Sequence, residues 1–308
     1  MSILILLACT HDFGLEAMPP VAEAPLEDTG WVDSGFGDTG EPVTEDTGET
    51  PVTEDPDEEE PVEEYPDDPA PEDDCENTSD LIYLVSRSDE GIYLFDPSDL
   101  SFERLGTLDC DWISTPNSMA VGRDGAGYVR YSDNSVYQVD LETMECSNTS
   151  YGAGSFGAFG MGFATNTSDT WRDKLYVANK KTLAVLDTST WSLAPVGTLP
   201  SQSELTGNAD GELWAFLPLE SPAALVQLNK ANGSVTDRVN LPGFPAPTNI
   251  DAFAFAAWDG AFYLFVREYG MGESTDVYEV DSTGTMRKVL NDVGFDVVGA
   301  GVSTCAPA

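Results

Sequence analysis

The sequence predicts an all-β fold: a β-propeller of about five four-stranded blades, closed by the C-terminal strand and preceded by a disordered acidic tether. Three observations carry that expectation. A strand-and-turn motif recurs five times, a small-residue strand stands ahead of most copies, and one further small-residue strand ends the chain. The motif reads GIYLFDPSDL, SVYQVDLETM, TLAVLDTSTW, ALVQLNKANG and DVYEVDSTGT, each an apolar run that closes on Asp or Asn and enters a polar turn. Its anchors Asp96, Asp140, Asp187, Asn229 and Asp281 are spaced 44, 47, 42 and 52 residues apart, the period of a propeller blade.

Each unit is filled out by neighbouring runs. LIYLVS, GYVRYS, KLYVAN, ELWAFL and AFYLFV precede the motif as second strands, and segments such as SFERLGTL and SLAPVGTL follow it as outer strands. Four units begin with SMAVGR, GMGFAT, ELTGNA or AFAFAA, where small side chains suit the crowded axis of a ring. Three of these run into Asp124-Gly125, Asp210-Gly211 or Asp259-Gly260, a strong hairpin signal. The first unit lacks an inner strand, and DVVGAGVSTCAP at the end of the chain is expected to supply it. That closure removes the exposed sheet edges that an open array would leave.

Cysteine placement fits the same scheme. Four of the five, Cys75, Cys110, Cys146 and Cys305, form an even set, which suits an oxidising compartment. Three connectivities are open to four cysteines. Ring closure favours Cys75–Cys305, because these two sit where a continuous chain would carry the hairpin loop, and Cys110–Cys146 then pairs by default.

The chain divides into residues 1–9, a lipoprotein-type signal segment; 10–79, an acidic linker rich in Pro, Thr and Gly; and 80–308, the propeller. The start, MSILILLACT, resembles a bacterial lipobox at Leu6-Leu7-Ala8-Cys9, with lipid on Cys9. It is short and lacks basic residues; Thr10 favours the outer membrane. The linker carries four Asp-Thr-Gly or Asp-Ser-Gly triplets, at Asp28, Asp33, Asp38 and Asp46. Triplets of this kind hold the paired carboxylates of aspartic proteases, yet here they stand among charges with no apolar strand to bury them. They read as spacer. Seventy such residues cannot offset the entropy of ordering, and they span on the order of 45 Å.

Charge narrows the function. Residues 1–79 hold 25 of the 55 Asp and Glu and none of the 13 Lys and Arg, so the remainder has a net charge of 13 − 30 = −17. Nucleic acid is excluded as a partner attracted by charge, and attachment to a membrane is expected only through the lipid on Cys9. The single histidine, His11, lies in the linker, which removes histidine-based catalysis and metal ligation from the domain. The glycine-rich YGAGSFGAFGMGF has no lysine and no following helix; it reads as a connection into the third blade rather than a phosphate cradle.

TPNSMAV, FGMGF, ELTGNADGELWAF, AFAFAAWDGAFYLF and VGAGVSTCAP together resemble a group of secreted or lipid-anchored β-propeller proteins of myxobacteria and related deltaproteobacteria. The resemblance covers about 81–308 and implies a propeller in the cell envelope, with no implied activity. LYVANKKTLAVLDTSTW is similar to the YVTN-type propeller repeat. Residues just ahead of the inner strands should converge at the axis, and they include Asn117, Glu204 and Asp251. This trio is similar to the Ca2+ or Zn2+ site of gluconolactonase-like propellers, which implies metal ligation by all three and a catalytic carboxylate at Asp251. The other reading makes Asn117 and Asp251 turn residues and Glu204 a rim charge. The function expected is therefore a monomeric, lipid-anchored or secreted binding module for a protein or glycan at the cell envelope, without a cofactor. The alternative is a metal-dependent lactonase-like or carbohydrate-active enzyme.

Overall fold

The computed structural model describes residues 75, 78, 80–152, 154, 156–165, 172–270, 272 and 274–307. The signal segment, Cys9 and the linker up to residue 74 lie outside the described residues.

Short alternating runs broken by Asp, Gly and Asn become twenty strands, sorted into five antiparallel four-stranded sheets. Blade 1 holds β1 (Ile82–Ser86), β2 (Gly91–Asp96) and β3 (Ser101–Thr107). Blade 2 holds β4 (Pro116–Val121), β5 (Ala126–Tyr131), β6 (Val136–Asp140) and β7 (Cys146–Asn148). Blade 3 holds β8 (Gly160–Thr165), β9 (Asp173–Ala178), β10 (Thr182–Leu186) and β11 (Leu193–Thr198). Blade 4 holds β12 (Glu204–Gly207), β13 (Leu213–Leu217), β14 (Ala223–Leu228) and β15 (Val235–Leu241). Blade 5 holds β16 (Ile250–Trp258), β17 (Ala261–Glu268), β18 (Asp276–Val280) and β19 (Met286–Leu290). The last strand, β20 (Val297–Gly301), returns to blade 1 and gives it the order β20-β1-β2-β3.

The ring has no single central core. Five apolar clusters form instead, each filling one junction between neighbouring blades, as where Met161 and Val177 of blade 3 meet Tyr128 and Val136 of blade 2. Burial falls from axis to rim accordingly. Strands β8 and β20 are buried throughout, whereas β3 and β7 expose much of their length. Small residues on the inner strands have a steric cause. A Cβ placed on Gly299 would come within 2.6 Å of the Met119 backbone nitrogen in β4, and one on Gly162 within 2.6 Å of Leu205 O in β12. Neighbouring inner strands therefore approach backbone to backbone.

The recurrent anchor residue closes the turn from third to fourth strand. Oδ1 of Asp96, Asp140, Asp187, Asn229 and Asp281 accepts a backbone N–H two residues on, at 2.8 to 2.9 Å. This is the local competition that favours Asp and Asn at turns. The Asp-Gly hairpins take two forms. Asp259 and Gly260 both have positive φ (47° and 70°), joining Trp258 to Ala261 in a tight turn. At Gly125 and Gly211 only the glycine is left-handed, and its N–H reaches back to the carbonyl of Gly122 or Asn208.

Ring closure is multiply secured. β20 pairs with β1 in the register Tyr83↔Gly301 and Leu84↔Ala300. A disulfide joins Cys75 to Cys305 with the Cα atoms 5.7 Å apart, and a second joins Cys110 to Cys146. The first hairpin of blade 5 grips both ends of the propeller: Asp259 N–H donates to Pro307 O at 2.9 Å, and Trp258 Nε1–H to Asp80 O at 2.7 Å.

Candidate functional site

In an antiparallel blade the connection entering the inner strand and the turn leaving the second strand lie at the same end of the sheet. That end of the ring carries the site. Residue Asn117 occupies a bulge between Pro116 and Ser118 in β4, and Asp251 a bulge between Ile250 and Ala252 in β16. Val298 fills the corresponding irregularity in β20. Bulges re-aim side chains, and here all three residues face one axial pocket of about 110 Å3. Glu204 at the start of β12 lines the same pocket, so the structure brings Asn117, Glu204 and Asp251 together. None sits in a turn, and Glu204 is buried at 8% exposure rather than standing on the rim.

What surrounds them is a set of arginines that sequence reasoning did not single out. Arg87, Arg130 and Arg267 occupy the same end of the second strand in blades 1, 2 and 5, which are consecutive around the ring. The signal was present: each follows the apolar run of a second strand, in LVSR, YVRY and FVRE, and basic residues are scarce in this chain. Asp251 Oδ2 lies 3.2 Å from Arg87 Nη2 and 3.0 Å from Arg267 Nη2. Asp296, just ahead of β20, binds the same two guanidiniums through Oδ2, at 3.0 Å to Arg87 Nε and 2.8 Å to Arg267 Nη1. Its Oδ1 accepts the Ser88 N–H at 2.7 Å. The four groups form a neutral, alternating ring that also ties the C-terminal strand to blades 1 and 5.

The opposite wall is built around Arg130, which is 3% exposed. Its Nε donates to Phe159 O at 2.8 Å, Nη1 donates to Tyr131 O at 3.0 Å, and Nη2 donates to Asn117 Oδ1. The guanidinium carbon lies 5.5 Å from the Phe159 ring centroid. Among the described residues no carboxylate lies within ion-pair distance of it. Glu204 is the nearest acidic influence, and burial pushes its carboxyl up to about 8; the Ser118 hydroxyl, donating to Oε2 at 2.9 Å, and the Arg130 charge oppose that shift only in part. Burial thus favours the neutral form of Glu204 near neutral pH, and among the described residues no ion pair balances the Arg130 charge.

This donor set does not suit a dication. Asn117 Oδ1 accepts from Arg130, Asp251 Oδ2 is shared by two guanidiniums, and burial of Glu204 favours its neutral form. A Ca2+ or Zn2+ ion on Asn117, Glu204 and Asp251 would sit among fixed positive charges. Among the described residues no group of three or more His, Cys, Asp or Glu is placed to hold a metal. Large exposed apolar side chains lie on loops at this end of the ring. Trp112 is 90% exposed beside exposed Ile113 on the connection entering β4, and Tyr269, 66% exposed, follows β17 with its N–H on Asn249 O.

No family model matches the chain, and neither does any curated protein. Among solved structures, the chain is similar to a protein of unknown function from Bacteroides caccae, with TM-score 0.41 and 12% identity over 71% of this chain and 97% of that one. It is also similar to the extracellular domain of a hybrid two-component system from B. thetaiotaomicron, with TM-score 0.38 and 11% identity over 68% of this chain and 28% of that one. At this level of similarity neither neighbour informs function. The architecture itself is unambiguous: by its five sheets, their order and its C-terminal closure, the domain is a five-bladed β-propeller.

Proposed function

We propose that this chain is an extracytoplasmic binding module, held at the cell envelope by lipid on Cys9, whose working face is the end of the propeller that carries the arginine pocket. The observation that supports it most is the pairing, at one end of the ring, of a polar axial pocket with exposed Trp112, Ile113 and Tyr269. Aromatic side chains beside a polar recess are a usual composition for recognition surfaces. Two disulfides favour an oxidising compartment, and no helix among the described residues is long and apolar enough to cross a membrane. The guanidiniums at Asn117 and Asp251 weigh against the alternative of a metal-dependent enzyme.

Photo-crosslinking in the native envelope tests the face. A photoreactive residue at position 112 should give a discrete higher-mass adduct, and one at exposed Glu103 on outer strand β3 should not. Absence of an adduct from both positions 112 and 269 would remove the reading. Lipid attachment is checked separately by metabolic labelling with an alkyne fatty acid, which Cys9→Ser should abolish.

A further inference from the structure

Arg130 is the least expected group in the pocket. Burying a guanidinium without an ionised partner is costly, and a purely structural role would be expected to place a carboxylate against it. The propeller does that for Arg87 and Arg267, which share Asp251 and Asp296. For Arg130 it supplies two backbone carbonyls, the amide oxygens of Asn117 and Asn134 and the face of Phe159, all of them uncharged. The acidic side chain that approaches, Glu204, is held by Ser118 from β4 and by the Met161 N–H from β8, in surroundings that favour its neutral form. The two other charged lining groups, Arg87 and Asp251, belong to the balanced ring opposite. Counting Arg87 and Arg130 against Asp251, with Glu204 in its neutral form, the lining carries one net positive charge, in a domain that is otherwise strongly acidic.

We infer that the axial pocket is a receptor for a single carboxylate group, which completes the charge of Arg130 and accepts hydrogen bonds from the Arg130 and Arg87 guanidiniums. This deepens the binding-module reading and rests on it. The cavity of about 110 Å3 accommodates a carboxylate and little beyond its first carbons, so the remainder of the ligand must project towards the face that bears Trp112 and Tyr269. The two oxygens of a planar carboxylate can each meet a separate donor, one an N–H left over on Arg130 and the other an N–H left over on Arg87, which a monatomic ion does less well. Such a carboxylate reaches an envelope protein from two sources, an acidic sugar or a peptide C-terminus, and the pocket recognises the chemistry that they share.

Calorimetric titration of the full chain with sodium acetate, glucuronate and N-acetylalanine, at matched ionic strength against sodium chloride, tests the inference. Saturable binding of acetate is expected at pH 7, with tighter binding of glucuronate identifying a sugar source and of N-acetylalanine a peptide source. Ionisation of Glu204 places a negative charge beside the ligand, so Kd should rise about tenfold between pH 7 and pH 9. Glu204→Gln should bind at both pH values with that rise abolished. Arg130→Met should remove binding. Should Arg130→Met fail to fold, Arg87→Gln, at the more exposed rim, is expected to weaken binding about tenfold with the fold intact by circular dichroism. No saturable binding of any of the three carboxylates, or equal binding of chloride, overturns the carboxylate site. A crosslink at Trp112 that persists in that case would leave the working face standing, so the two failures are separable.

Discussion

Glu204 illustrates how one residue can be worth more when it is uncharged. In the unfolded chain its carboxyl ionises near its ordinary value of 4.5, while burial against β4 and β8 holds the folded form protonated up to about pH 8. Below pH 4.5 both states are neutral and the group places no penalty on folding. Between 4.5 and 8 the unfolded chain gives up a proton that the folded chain keeps, so stability falls as pH rises, levelling off above pH 8 at a cost of roughly 3 to 5 kcal/mol. Glu204→Gln should therefore be more stable than wild type at pH 8 and equal to it near pH 4, a difference that urea melts at the two pH values will show. The sequence placed Glu204 at the mouth of an inner strand correctly. Its protonation could not be read there, because it depends on the packing of three strands distant in the chain.

Turns supply the clearest example of an element whose sequence signal carried its own mechanism. The Asp or Asn that marked each repeat accepts backbone N–H groups in every blade, so the anchor was legible because its cause is local. The residue four positions later was not. Leu100, Met144 and Trp191 all adopt positive φ (59°, 63° and 58°), where blade 4 uses Gly233. Each of the three bulky side chains packs into the junction with the preceding blade, Trp191 lying 6.0 Å from Tyr128 between ring centroids. Left-handed backbone costs a non-glycine residue about 1 kcal/mol or more, which this packing offsets. Trp191→Ala keeps the strained backbone and loses the contact, whereas Trp191→Gly relieves the strain as well. Equilibrium unfolding should find the alanine variant less stable than wild type by about 2 kcal/mol, and the glycine variant no worse than alanine, against the usual order within folded elements.

At the scale of the whole ring, closure was legible and the site only half so. A small-residue strand with nothing after it and a first unit lacking such a strand pointed to each other, because backbone approach at the axis admits little else. The disulfide that seals them joins residues 230 apart in sequence, and Cys110–Cys146 joins residues 36 apart. Chain-entropy reasoning gives the longer loop the larger effect, roughly 5 kcal/mol against roughly 4 kcal/mol for the shorter. Replacing Cys75 and Cys305 together by Ser should lower the calorimetric midpoint on the order of 10 °C, and more than the Cys110 and Cys146 pair does. The arginine cluster escaped notice for a topological reason: Arg87, Arg130 and Arg267 are far apart in the chain and meet only because blades 5, 1 and 2 are neighbours in a closed circle. That circle has one more consequence. With Cys75 and Cys305 at bonding distance and Asp-Gly hairpins such as Asp210-Gly211 elsewhere on the ring, the domain has no privileged starting point. A circular permutant that joins the two ends of the propeller through a short linker and begins at Gly211 should reassemble the same five blades, with its carboxylate pocket intact.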